Sequence, residues 1–266
     1  MSRILVNPNT AKLGEFVTFA EENSVGFEVL AFCNPLELDD EEALRKNIEM
    51  FMPFRDKIES LHGAFIGLQV ACDDEAIRNV SRKRIEQSCE IAKELGIKSM
   101  VVHCDKLPYV LYPDYTDYWV EGSYAFYAGL LERYDVNILM ENCWDLGPQP
   151  LKQLIRRMNT ERFKACMDTG HVNCFSRAGL EEWVDVLNTD LAQLHINDNG
   201  GELDEHKPAG EGTFDFKALT AKLKEYTVRP RVVFEMNVYE EIDNIEKSMA
   251  YLKANGLYPF DAGEDV

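Results

Sequence analysis

Short apolar runs that stop at an acid or a histidine recur along this chain, and they restrict its fold more than any other feature. Residues 58–61 run into His62, 100–102 into His103, 138–140 into Glu141, 165–167 into Asp168, 191–194 into His195 and 232–234 into Glu235. The densest case is Phe163-Lys164-Ala165-Cys166-Met167-Asp168-Thr169-Gly170-His171, where the run, the acid, a small-residue turn and an imidazole follow one another. A buried parallel strand delivers side chains to a site at its carboxyl end in this way. One histidine after an apolar run is ordinarily a satisfied core residue. A recurring set is harder to assign to packing, because buried acids and histidines are costly unless paired or bound to metal. The set argues for a metal site.

Between these runs lie segments of helical period. Residues 4–6 read as a first strand, and 13–22, apolar at Leu13, Phe16, Val17 and Ala20, read as an amphipathic helix. Gly26 introduces a second apolar run at 27–32. A loop at 33–38 then leads into one helix over 39–58, acidic at its start, and residues 71–95 form a long helix closed by Gly96. Residues 107–119 read as an aromatic-rich loop broken by Pro108 and Pro113, able to close on a substrate or stack on a sugar ring, with packing or subunit contact as the alternative. Further helices are expected over 120–134, 150–158, 180–187, 216–226 and 242–254. Eight strand-helix alternations without a linker-like stretch predict a single (β/α)8 barrel of the α/β class over residues 1–266. A doubly wound open sheet is the runner-up, but it would not bring residues from six strand ends to one point.

Composition narrows the function. A net charge of -19, with no basic run, disfavours nucleic acid as a partner. No uninterrupted apolar segment approaches the ~20 residues that span a bilayer, and the start, Met1-Ser2-Arg3-Ile4-Leu5-Val6, enters a strand pattern without a signal-peptide core, so a cytoplasmic location is expected and no membrane partner. The seven cysteines are odd in number and lack C-x-x-C spacing, as reduced thiols would be. Cys104, Cys143 and Cys166 lie beside the candidate ligands among apolar neighbours and read as core fillers.

Leu61-His62-Gly63, Val102-His103, Met140-Glu141-Asn142, Asp168-Thr169-Gly170-His171, His195-Ile196-Asn197-Asp198-Asn199, the polar segment from Asp204 to Gly212, and Phe234-Glu235 follow in that order. On these residues the chain resembles the xylose isomerase-like superfamily of barrels, which holds sugar isomerases, sugar epimerases and endonuclease IV. The resemblance to the epimerases implies one divalent metal (Mn, Mg, Co or Zn) on Glu141, Asp168, His195 and Glu235, an oxygen-rich set of the hard to borderline kind. It also implies that Glu141 and Glu235 act as the acid/base pair, through an enediolate, on a small sugar or polyol. His62, His103, His171 and His206 would then face the substrate, His206 and Lys207 standing where such enzymes often carry an arginine.

Resemblance to endonuclease IV implies an alternative, three zinc ions on His62, His103, Glu141, Asp168, His171, His195, Asp204, His206 and Glu235, with activated water attacking DNA beside an abasic site. The acidic loop after the second strand and the bland Gly63-Ala64-Phe65 after His62 lack what holds a duplex. A third alternative is a sugar-binding barrel without turnover, which the intact acid pair disfavours. Phosphate recognition is hinted at only by Gly210-Glu211-Gly212 with Lys207, a segment that reads as a structural turn. A homo-oligomer is left open.

Overall fold

Eight strands hydrogen-bond in chain order into a closed barrel. They are β1 Ile4–Val6, β2 Gly26–Val29, β3 Ile58–His62, β4 Ser99–His103, β5 Asn137–Glu141, β6 Phe163–Asp168, β7 Leu191–Ile196 and β8 Arg231–Phe234. Every neighbouring pair is parallel, and β1 closes the ring on β8 with Val6 opposite Phe234. The expected (β/α)8 barrel is the fold. The computed structural model describes residues 2–236 and 242–261; Met1, 237–241 and 262–266 of the expected 1–266 span lie outside the described residues.

Around the barrel run α1 Leu13–Asn23, α2 Pro35–Asp39, α3 Glu41–Phe51, α4 Glu75–Leu95, α5 Tyr115–Arg133, α6 Gln149–Met158, α7 Thr169–Phe175, α8 Leu180–Leu187, α9 Phe216–Tyr226 and α10 Ile242–Ala254. The strands are buried on both faces, which is why they read as almost continuous apolar runs instead of alternating. Each helix buries one stripe. In α6 that stripe is Leu151, Leu154, Ile155 and Met158, the spacing of one helical face.

Four expectations about local structure are corrected. Residues 39–58 do not form one helix: the Asp40 carboxylate accepts from the Glu42 and Ala43 N–H groups and starts α3, and Pro53 then tightens the chain into the 3-10 turns of Met52–Lys57 before β3. The expected loop at 33–38 carries α2, with the Asn34 side chain as cap and proline in its first turn. The long helix begins at Glu75 and not at 71, because Asp74 caps it through the Ala76 and Ile77 N–H groups. The aromatic loop ends at Tyr115, where α5 begins, and Trp119 is buried in that helix with its N–H donated to Asp105 Oδ1 at 2.7 Å.

Gly96, at φ +76°, closes α4 in the left-handed conformation that glycine adopts without a Cβ penalty. At the other end the Asp74 carboxylate satisfies two amides that have no partner within the helix. Asp74→Ala is therefore expected to lower stability by about 1 kcal/mol. That corresponds to a melting temperature roughly 2–4 °C lower in thermal denaturation; an unchanged midpoint would remove Asp74 from the cap.

Candidate active site and metal centre

The barrel register sets the site. His103 lies opposite Glu141 on neighbouring strands, and Asp168 lies opposite His195. Glu235 follows β8 directly, its N–H donated to the Ile196 carbonyl at 3.3 Å. Glu141, Asp168, His195 and Glu235 thus offer ligand atoms within 4.8 Å of one another, all four buried. His195 Nδ1 stands 3.2 Å from Glu141 Oε1 and in contact with Glu235 Oε2. These three buried atoms have no hydrogen-bond partner among the described residues. Carboxylate oxygens and an imidazole nitrogen gathered at one point away from water are what a cation would satisfy, so the donor set fits a divalent metal.

Asp168 is held from two sides. Its Oδ1 caps α7 by accepting the His171 N–H at 2.7 Å, and its Oδ2 accepts from Asn197 Nδ2 at 2.6 Å. The expected turn at 169–171 is therefore the first turn of a helix. Gly170 is required by crowding: a Cβ there would lie 1.9 Å from Asn197 Oδ1. Asn142 ties β5 to β6 by accepting the Asp168 N–H and donating to its carbonyl.

Burial pushes the Glu141 carboxyl up, but the imidazoles of His195 and His103 outweigh it and hold the group well below its usual range. Glu235 is likewise pushed up by burial and pulled down by His195, to about 2. Asp168, desolvated and near the Glu141 charge, is pushed up to about 6 despite His171. Burial lowers the affinity of His195 for a proton, yet the Cys166 thiol and the carboxylates of Glu235, Glu141 and Glu28 raise it well above the ordinary imidazole value. A site that attracts a proton this strongly attracts a metal ion by the same charges, and the two compete.

The other candidates form two flanking groups. His62 Nε2 and His103 Nε2 reach Glu141 Oε2 at 3.2 and 3.4 Å, while Phe65 stacks on His103 with centroids 4.4 Å apart. Asp204 Oδ2 receives His171 Nε2 and His206 Nε2, both at 3.3 Å. Each trio, His62 with His103 and Glu141 and His171 with Asp204 and His206, also gathers its ligand atoms within 4.8 Å. The structure brings all nine sequence-derived residues to one mouth.

Asp198 positions the loop that carries Asp204 and His206. Its carboxylate accepts N–H groups from Asn199, Gly210, Gly212 and Phe214 at 2.9–3.0 Å, so the amides of the Gly210–Gly212 segment are already used. The segment is a structural turn, as its sequence suggested, and Lys207 pairs with Glu205 at 2.7 Å. His206 takes φ +48°, a strained conformation for its residue type, and its Nδ1 meets the Glu235 carbonyl at 3.1 Å. The cavity over these groups, about 360 Å³, is lined also by Leu30, Phe65, Cys143, Trp144 and Met236; no lysine or arginine lines it among the described residues.

One site residue escaped sequence reasoning. Glu28, in the middle of β2, is fully buried beneath His195, with Oε1 3.0 Å from His195 Nε2. Gln193 Nε2 donates to its other oxygen at 2.8 Å, and Arg231 donates in turn to Gln193 Oε1. The charge on Glu28 orients the imidazole so that Nδ1 faces the carboxylates above. The available signal was a single acid inside an apolar strand run.

The chain belongs to the xylose isomerase-like TIM barrel family, whose pattern it matches over residues 19–255. It is 27% identical over 193 residues to the uncharacterized protein MJ1311 of Methanocaldococcus jannaschii, a match spanning 68% of this chain and 66% of that one. Its fold is similar to that of a D-tagatose 3-epimerase-like protein, with TM-score 0.75 and 24% identity over 95% of this chain and 96% of that one. It is also similar to the TTHB071 protein from Thermus thermophilus soaked with ZnCl2, with TM-score 0.69 and 22% identity over 95% and 97% of the two chains.

Two outcomes follow for zinc binding measured by calorimetry. Glu28→Gln is expected to weaken it roughly 10–100-fold, the usual size for loss of a carboxylate behind a ligating imidazole; an unchanged affinity would rule out the orienting role. Affinity in the unaltered protein is expected to rise with pH, including through about 6, where the Asp168 carboxyl gives up its proton. Affinity flat between pH 5 and about 8 would mean that protons and metal do not share these atoms.

Proposed function

We propose that this protein is a divalent-metal-dependent sugar isomerase or epimerase. The observation that carries the reading is the set of buried, unpartnered donor atoms on Glu141, His195 and Glu235, turned to one point beneath the cavity. Family membership and the fold shared with a D-tagatose 3-epimerase-like protein support it. Glu141, Asp168, His195 and Glu235 would hold the ion. When bound, the ion polarises a substrate carbonyl and lowers the cost of removing the neighbouring carbon-bound proton.

The chain's own groups do the rest. Glu141 and Glu235 are both held ionised, so either one can accept that proton at an oxygen. The electron pair of the broken C–H bond moves toward the carbonyl, giving an enediolate. The first glutamate, now neutral, returns its proton to the adjacent carbon, or the second takes up a proton from solvent and gives it to the opposite face of the same carbon while the first releases its own. His171 and His206, both held protonated by Asp204 and the neighbouring acids against the effect of burial, keep their ring N–H groups on Asp204 and on the Asn142 and Glu235 carbonyls, and so would place positive charge beside the substrate. Exclusion of water falls to Leu30, Phe65, Trp144 and Met236 around the cavity.

A second reading rests on one further observation, that the nine candidate residues make up four groups, three of them sharing members, each with its ligand atoms within 4.8 Å of one another. Three zinc ions there would suit a phosphodiesterase acting at abasic sites. The net charge of -19 and a cavity without lysine or arginine among the described residues weigh against a DNA substrate.

Exchange of a sugar's C2 or C3 proton with solvent deuterium, followed by NMR, separates the readings. It is expected to fall by about 10²–10⁴-fold in Glu141→Gln and in Glu235→Gln. Undiminished exchange in both variants would reject the assigned roles. Metal analysis finding one ion per chain supports the isomerase, whereas three zinc ions with incision of an abasic-site duplex would replace it with the phosphodiesterase.

A further inference from the structure

The chain has three tryptophans, and they are used in two different ways. Trp119 and Trp183 are 1% and 0% exposed, and their N–H groups are donated to Asp105 and Ser176. Trp144 is 52% exposed. Among the described residues its N–H has no acceptor, and its ring has no aromatic or cationic partner.

Nothing in the local chain pushes Trp144 outward. Its neighbours Cys143 and Asp145 are both buried, and the loop between β5 and α6 is pinned beneath it. Asp145 accepts the Cys143 N–H at 3.0 Å and the Cys104 thiol at 3.1 Å, which fixes the backbone on both sides of the indole. The side chain stands over a cavity that it shares with His103, His171, His206 and Glu235. Phe65, another ring of that cavity, is already engaged with His62 and His103. Among the described residues lining this cavity, Trp144 is the aromatic side chain without a ring or cation partner.

We infer that the Trp144 indole is the stacking wall for the substrate, packing against the C–H face of an unphosphorylated sugar whose oxygens face the carboxylates and imidazoles opposite. An indole offers a large apolar face at little conformational cost, and a sugar ring presents such a face between its hydroxyls. An anionic phosphate has no lysine or arginine to meet among the described lining residues, and the two protonated imidazoles there, His171 and His206, are already paired with Asp204. The inference rests on the isomerase reading and narrows its substrate class.

The test uses the full-length protein with zinc and a panel of free ketopentoses, free ketohexoses and their phosphate esters. Because the other two tryptophans are buried, acrylamide quenching of fluorescence reads Trp144, and the Trp144→Phe protein supplies the background. A sugar whose proton is exchanged is expected to protect wild-type fluorescence at saturation, toward that background. Trp144→Ala is expected to raise KM for that sugar about tenfold with a smaller change in kcat, metal content being retained, while Trp144→Phe recovers most of the loss.

Unchanged quenching at saturation, or an unchanged KM in Trp144→Ala, would overturn the inference and leave the isomerase reading standing. Preference for a phosphate ester over its free sugar would overturn the substrate class. If no panel member exchanges a proton or protects the indole, the isomerase reading falls and this inference falls with it.

Discussion

Everything at the mouth of this barrel is organised by the crowding of buried carboxylates around one imidazole. Glu141 and Glu235 face His195 Nδ1 from above, and Glu28 faces its Nε2 from below. Carboxylates so close would repel strongly in a medium of low dielectric constant, and each has surrendered its water. The arrangement persists only with positive charge among them, from a proton on His195 or from a metal ion in its place. Fold stability and cation affinity are for that reason linked in this protein, since any group that binds the folded site and not the unfolded chain adds to its stability.

The barrel makes such a cluster tolerable. Closure leaves no sheet edge, both faces of every strand are covered, and the apolar stripes of helices such as α6 bury against the strands. Stabilising contacts lie in the body of the barrel, and unsatisfied donors collect at its carboxyl end. Asn142, Asn197 and Asp198 mediate between the two regions. They satisfy the loop backbones and hold the acids, so that strand geometry is transmitted to Asp168, Asp204 and His206 instead of being lost in flexible loops.

Much of this was legible in the sequence, and the reasons differ from one residue to another. The strand-terminal residues Glu141, Asp168, His195 and Glu235 stood out because an apolar run that stops at a ligand is a one-dimensional pattern. Glu28 did not, because its meaning depends on lying beneath His195, a neighbour set by barrel closure across the whole chain. The two helices in place of one over 39–58 were concealed because Asp40 can act as a first-turn acid or as a cap, and only the backbone conformation distinguishes them. The left-handed backbone of His206 has no sequence signal at all, since it is imposed by the turn around Asp198. Trp144 carries no sequence signal of its own, since only the burial of Trp119 and Trp183 sets it apart.

The flanking imidazoles differ electrostatically: neighbouring acids raise His62, His171 and His206 against burial, whereas His103 is lowered. Burial dominates at His103 and pushes its proton affinity down, so this imidazole tends to be neutral with a lone pair available. At His206 the opposing acids win against burial and raise it to about 10, and His171 is raised well above its ordinary value. A metal entering beside Asp204 must displace protons from both rings, which makes binding there sensitive to pH. While those rings keep their protons they are cations beside the cavity whose N–H groups are held by Asp204 and by the Asn142 and Glu235 carbonyls. Proton and metal therefore compete for the same ring nitrogens at Asp204, as they do at His195.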